Sequence, residues 1–235
     1  MRILLTGASG FVGQAILRAA KHRGFEVRPV FRSLASATGH QEAVILSGLD
    51  GSCDWSKALH GVDVVIHAAA RAHVMREEAL DPLAEYRRVN VQGTLNLALQ
   101  AAVAGVRRFV FISSIKVNGE ETVPGHPFTT YDPPAPEDAY GVSKSEAESG
   151  LRRIAEKTGM EVTIIRPPLI YGPGVKGNFA NLIRWLRRGL PLPLASVIHN
   201  RRSLIGLDNL VDLILICAEH PNAANQTFLV SDGDD

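Results

Sequence analysis

Short apolar runs alternate along the chain with longer stretches in which apolar residues recur at helical spacing. Residues 2–6, 26–31, 43–46, 62–67, 108–113 and 162–166 are the short runs. They are rich in β-branched residues without strict alternation, as strands covered on both faces of a sheet must be. Residues 11–22, 82–104 and 139–157 lie between them and carry the 3.6-residue period. Strands joined through helical crossovers run parallel, so the pattern predicts six strands in an α/β, doubly wound parallel sheet. After residue 167 the alternation gives way to a Gly/Pro-rich stretch, a predicted helix over 178–188, more prolines, a predicted helix over 207–219 and an apolar run at 227–230. The chain therefore divides into a sheet-forming part, residues 1–167, and a smaller part, residues 168–235, interleaved with the last sheet elements. With no capping element after the final apolar run, the smaller part is expected to be truncated. The Pro-dense residues 123–137 read as an ordered loop.

Composition narrows the function classes. A chain of 235 residues with 46% hydrophobic content buries a sizeable core. Lys and Arg total 25 against 24 Asp and Glu, which removes the electrostatic case for wrapping nucleic acid or an acidic membrane. Cys53 and Cys217 stand far apart, and neither they nor the eight histidines fall at metal-ligand spacing, so no metal site is expected and a reducing compartment is. The apolar N-terminus turns into glycines at once and reads as a strand rather than a signal peptide, and no apolar run reaches membrane-spanning length. The cytoplasm is the expected location.

The first strand feeds directly into Thr6-Gly7-Ala8-Ser9-Gly10-Phe11-Val12-Gly13 and then a helix. Glycines at a strand-to-helix turn let backbone N–H groups approach a pyrophosphate and let helix and strand pack closely, while the helix N-terminus favours the anion. This GxxGxxG spacing resembles the short-chain dehydrogenase/reductase superfamily and implies a Rossmann domain over residues 1–167. In such folds the end of the second strand distinguishes NAD from NADP. Here it carries Arg32 and Ser33 rather than a carboxylate, and a guanidinium with a hydroxyl suits a 2′-phosphate. NADP(H) is favoured and NAD(H) stays open, since Arg32 also fits an ordinary solvated position.

Tyr140 and Lys144 open the helix at 139–157, and a spacing of four sets both on one face, one turn apart. An ammonium beside a phenol lowers the phenol's pKa from about 10, which would make Tyr140 a usable proton donor and acceptor. Ser113 and Ser114 end the fifth strand at its carboxyl end, where ligands of parallel sheets bind. Asn90 is a polar residue amid apolar helical spacing, suited to bracing the site or to a kink.

Taken together, Gly7/Gly10/Gly13, His67-Ala-Ala-Ala70, Asn90-Val-Gln-Gly-Thr94, Ser113 to Gly119, Tyr140/Lys144 and Arg166 to Gly174 resemble the extended branch of that superfamily, particularly nucleotide-sugar 4-epimerases and 4-keto reductases. The resemblance implies a catalytic set of Ser114, Tyr140, Lys144 and Asn90, with Ser113 supporting. It implies cofactor contacts from the glycine turn, Leu49, Ala68, Ala69, Ala70, Ser113, Tyr140, Lys144 and Pro167. Nucleotide-sugar dehydratases of the branch carry an Asp-Glu pair directly after the catalytic hydroxyl. Ile115 and Lys116 stand there instead, which disfavours water elimination.

For the substrate, the resemblance implies Ser114, Asn178 and Arg202, the last as a diphosphate clamp, and a nucleotide-diphosphate sugar, with UDP-sugars favoured. Asn118 departs from the tyrosine common at its position. Proton exchange by Tyr140 at the sugar C4 oxygen fits either 4-epimerisation or 4-keto reduction, and Arg32 with the stretch Ile115 to Glu120 tilts the expectation towards reduction. A dehydrogenase of steroid- or flavonoid-like substrates and a non-catalytic NADP sensor are the rival readings. A homodimer stays open.

Overall fold

The computed structural model describes residues 1–72, 79–175, 181, 184–189 and 201–233. Seven parallel strands form one sheet. They are β1 (Arg2–Thr6), β2 (Glu26–Phe31), β3 (Val44–Ile45), β4 (Val64–His67), β5 (Arg108–Ile112), β6 (Glu161–Arg166) and a closing strand, β9 (Thr227–Leu229). Their order is β3-β2-β1-β4-β5-β6-β9. A separate parallel pair, β7 (Leu169–Tyr171) and β8 (Leu204–Gly206), lies beside it.

Helices α1 (Phe11–His22), α2 (Leu34–Ala37) and α3 (Ser56–Leu59) follow the early strands. α4 (Pro82–Tyr86) runs without a break through a π-helical segment, Arg87–Gly93, into α5 (Thr94–Val103). A single 3-10 turn, Ile115–Val117, precedes α6 (Ala139–Thr158), and α7 (Leu207–Glu219) is the last long helix.

The central strands are sealed on both faces: Ile3, Leu4, Leu5, Val64, Val65 and Ile66 are all fully buried. This is why their sequence shows continuous apolar runs and no alternation. One face packs on α1 and α7 through Ile16, Leu210 and Ile214, the other on α5 and α6 through Leu97, Ala101 and Leu151. Strand order reverses between β1 and β4, which register as Leu5 opposite Ile66 and Thr6 opposite His67. A crevice opens at such a switch point, at the carboxyl ends of the strands. Because β9 pairs with β6 and α7 packs on α1, the chain after residue 167 supplies part of the main layers. Among the described residues, no helix is long and apolar enough to cross a membrane.

Arg108 ties this late part to the sheet. Its buried guanidinium donates to Glu161 Oε2 at 2.7 Å and to the carbonyls of Cys217 and His220 at 2.7 and 2.8 Å, so it caps the C-terminus of α7 from the start of β5. Arg108→Met keeps the stem but leaves those carbonyls without a donor, and is expected to cost about 2–4 kcal/mol of stability. Urea unfolding measures this. A loss near zero would mean that water replaces the guanidinium without penalty.

Candidate active site

Gly7 has φ +71°, and a Cβ there would meet the Ala68 carbonyl carbon and the Ala69 nitrogen at 2.7 Å. A Cβ on Gly13 would fall 2.0 Å from the Gly7 carbonyl oxygen. Backbone therefore lies against backbone at both positions, and only glycine fits. Gly10 caps α1 with no side chain, its own N–H bonds the Gly7 carbonyl at 2.9 Å, and no acidic residue occupies the helix's first turn. The N–H groups of that turn are left for an anion, with Ser9 exposed and Phe11 and Val12 half-buried around them. A cradle of this shape fits the pyrophosphate of a dinucleotide.

His67 holds the crevice from below. Its Nδ1 lies 2.7 Å from Thr6 Oγ1 and its Nε2 2.9 Å from Thr94 Oγ1, while the Ala69 N–H reaches Thr6 Oγ1 at 3.3 Å. Burial, then the nearby Lys144 charge, pushes its pKa down to about 3. It is a neutral brace between the glycine turn and α5. The sequence reading assigned it no role, although a histidine closing an otherwise apolar buried strand was the signal.

Ser113 and Ser114 part company at the end of β5. Ser113 turns inward and donates to Glu148 Oε1 at 2.6 Å. Ser114 is half-buried, and its Oγ accepts the Lys116 N–H at 3.3 Å. The half-buried Tyr140 phenol lies near enough to the Ser114 hydroxyl for that hydroxyl to lower its pKa. Lys144 is almost wholly buried; its Nζ donates to the Ile112 carbonyl at 2.8 Å and sits 4.5 Å from the centre of the Phe111 ring.

One expectation needs correction. The Lys144 ammonium was expected to acidify Tyr140. Its Nζ lies 5.8 Å from the centre of the Tyr140 ring, and the phenol is pushed above its ordinary range by burial, then by the Asp138 carboxylate and Tyr86, against a lowering influence from the nearby Ser114 hydroxyl. Lys144 itself is pushed down to about 7 by burial, against the raising field of Glu148. Desolvation outweighs charge pairing for both groups. In the chain without ligands Tyr140 therefore keeps its proton near neutrality.

Asn90, expected in the catalytic set, is fully committed as a brace. Its Oδ1 accepts the Arg71 N–H at 2.8 Å, and its Nδ2 donates to the Arg71 carbonyl at 3.1 Å and to Ser143 Oγ at 3.0 Å. Ser143 in turn donates to the Tyr140 carbonyl at 2.7 Å. The π-helical segment is what turns Asn90 into this position. Sequence reasoning also missed a buried core of charge. Arg166 donates to both oxygens of Glu148, at 2.9 and 2.6 Å, and to Asn118 Oδ1 at 2.8 Å. Asn118 then donates to the Thr129 carbonyl at 2.9 Å and so anchors the Pro-dense loop. A glutamate four residues after Lys144 on the same helix face was the available signal.

The remaining expected residues are less concentrated. Leu49 packs its backbone where a Cβ on Gly93 would come within 2.9 Å. Ala68 and Ala69 border the glycine turn, Ala70 is exposed after them, and the buried Pro167 accepts the Ile115 N–H at 3.0 Å beside the Ser114 turn. Arg32 and Ser33 are exposed after β2, with Ser33 Oγ 3.1 Å from Ser36 Oγ. Arg202 is exposed just before β8. Asn178 lies outside the described residues.

A family model described as the NAD dependent epimerase/dehydratase family matches residues 3–231. A UDP-glucose 4-epimerase of Vibrio cholerae is 50% identical over 235 residues, covering 99% of this chain and 71% of that protein. A 3-beta-hydroxysteroid dehydrogenase of Mycolicibacterium neoaurum is 30% identical over 250 residues, 99% of this chain and 66% of that protein. Among solved structures, MoeE5 in complex with UDP-glucose and NAD superposes with a TM-score of 0.81 at 26% identity, covering 98% of this chain and 76% of that one.

Proposed function

The chain belongs to the NAD dependent epimerase/dehydratase family, and from that membership we propose that it is an oxidoreductase acting at C4 of a nucleotide-diphosphate sugar, with a UDP-sugar as substrate and 4-epimerisation as the outcome. The observation that carries this reading is that Ser114, just after β5, and Tyr140 with Lys144, one turn apart on α6, lie at the carboxyl end of the sheet on which the glycine cradle also opens. The Vibrio cholerae relative favours epimerisation over the reduction expected from sequence.

Each residue has a role in the proposal. Gly7, Gly10 and Gly13 leave room for a pyrophosphate, and Lys144, from its site on the Ile112 carbonyl, would hold the ribose beside the nicotinamide. When bound, the nicotinamide supplies a reversible two-electron acceptor. Ser114 orients the C4 oxygen, and Tyr140 takes its proton and later returns one. Ile115 and Lys116 offer no acid-base pair for expelling water. Arg202, with Asn178, would meet the diphosphate. Cys53 and Cys217 are free thiols, in keeping with work in the cytoplasm.

Incubation with UDP-glucose and NAD should yield UDP-galactose. Reduction of 4-keto-sugars without interconversion would favour the reductase reading, and oxidation of a steroid alone would sink both.

The finer cofactor choice rests on Arg32. MoeE5 holds NAD, whereas β2 of this chain runs into an exposed guanidinium and hydroxyl, so we propose that NADP(H) is accepted with Arg32 on its 2′-phosphate. Arg32→Ala is expected to weaken NADPH binding by roughly tenfold or more while leaving NADH within about twofold, since only the former offers a charge-assisted partner. Titration of each cofactor measures it, and equal losses would remove the basis for placing Arg32 on a 2′-phosphate.

A further inference from the structure

Lys116 occupies one of the two positions after the catalytic hydroxyl, yet its side chain turns away from Ser114. Its Nζ bonds Glu120 Oε1 at 2.7 Å and Asp138 Oδ2 at 2.7 Å. Asp138 is the N-cap of α6, and its other oxygen accepts the Gly141 N–H at 2.6 Å. The two segments also touch directly, since a Cβ on Gly141 would lie 2.8 Å from the Lys116 carbonyl. Lys116 therefore grips, through a single carboxylate, the helix turn that presents Tyr140, while its own backbone N–H is bonded to Ser114 Oγ.

From this geometry we propose that Lys116 is a positioning residue, a latch that clamps the Ser114 turn to the first turn of α6 and so sets the spacing between the Ser114 hydroxyl and the Tyr140 phenol. The ion pairs themselves contribute little to stability. All three side chains are about two-fifths exposed, and pairs in water are weak. Their effect is on alignment, where displacements of about an ångström cost large factors in rate.

Tyr140 is faced by Asp138 at the head of its own helix, by Lys144 one turn on, by Ser114 from the β5 end, and by Tyr86 of α4, over whose ring Arg71 lies. Asp138 is the one carboxylate among these, and it opposes loss of the phenol's proton. Burial lowers the Lys116 pKa, but the bonds to Asp138 and Glu120 outweigh that and hold it above its ordinary value, so the latch stays charged across the neutral range.

The kinetic arm of the test rests on the nucleotide-sugar reading; the exchange arm does not. Lys116→Met should lower kcat about tenfold with KM for the UDP-sugar within about twofold, whereas Lys116→Arg should stay within about threefold of wild type. Asp138→Asn retains a good capping oxygen but loses the charge, and should fall as far as Lys116→Met. The double variant should be no worse than the worse single one, because both remove the same contact. Amide exchange in residues 115–118 and 139–143 of the ligand-free chain should accelerate in Lys116→Met and Asp138→Asn and stay slow in Lys116→Arg.

Wild-type kcat in Lys116→Met, additive losses, or unchanged exchange would overturn the latch. If the unaltered chain leaves UDP-sugars untouched, the functional reading falls, and the exchange result alone decides for or against the latch.

Discussion

Gly13→Ala is expected to weaken dinucleotide binding at least about a hundredfold, the effect of prying a helix off the turn that seats the pyrophosphate. The new Cβ would lie 2.0 Å from the Gly7 carbonyl oxygen, 2.7 Å from its carbon and 3.0 Å from the Ala8 Cα. All three are backbone atoms, so no side chain can swing aside. Either α1 shifts outward or the turn flattens, and both remove N–H groups from the cradle. A matched control is Gly48→Ala, whose nearest atom would be Asp50 Oδ2 at an ordinary 3.6 Å and which should bind normally. Calorimetric titration with NAD and NADP decides. Undiminished affinity in Gly13→Ala would mean that the dinucleotide sits elsewhere.

Tyr140→Phe should lower kcat by about three orders of magnitude, within the range that a positioned acid-base group contributes, while cofactor affinity stays within a few-fold. The aromatic ring is kept, and with it the edge contact to Tyr86 at 6.1 Å, so the fold of α6 has no reason to change. On the proposed mechanism, what is lost is the proton at the C4 oxygen. Single-turnover measurement separates that loss from slow product release. A variant retaining a tenth of the activity would end the assignment. Because burial holds the free phenol above its ordinary range, Tyr140 has to gain acidity from what binds beside it. The Lys144 ammonium alone, directed at the Ile112 carbonyl, does not provide it.

What the sequence made legible was whatever leaves a periodic or positional mark. Apolar runs delimited β1 and β2 to the residue, and the spacing of Gly7, Gly10 and Gly13 carried the cradle. The pair Tyr140 and Lys144 was visible as one helix face. Illegible were properties that arise only when distant segments meet. Glu148 and Arg166 each look like a surface charge until packing buries both, and the sequence could not tell inward Ser113 from outward Ser114 without the family resemblance. The direction of the Tyr140 shift failed for the same reason. A spacing of four predicts proximity to Lys144, but not the desolvation that outweighs it. The π-helical register of Asn90 has no counterpart in a 3.6-residue pattern.

The parallel order of the sheet has a bearing on how the molecule is made. Gly7 follows β1, His67 ends β4, Asn90 lies between β4 and β5, Ser114 and Tyr140 lie between β5 and β6, and Arg166 ends β6, while β9, the strand flanking β6, is almost the last segment of the described chain. Long loops have to close before any of these groups meet, a topology that folds slowly and through partly assembled states. A ribosome-bound chain lacking β9 would expose the edge of β6, a template for aggregation, before the Arg166 that ends that strand has its covering neighbour.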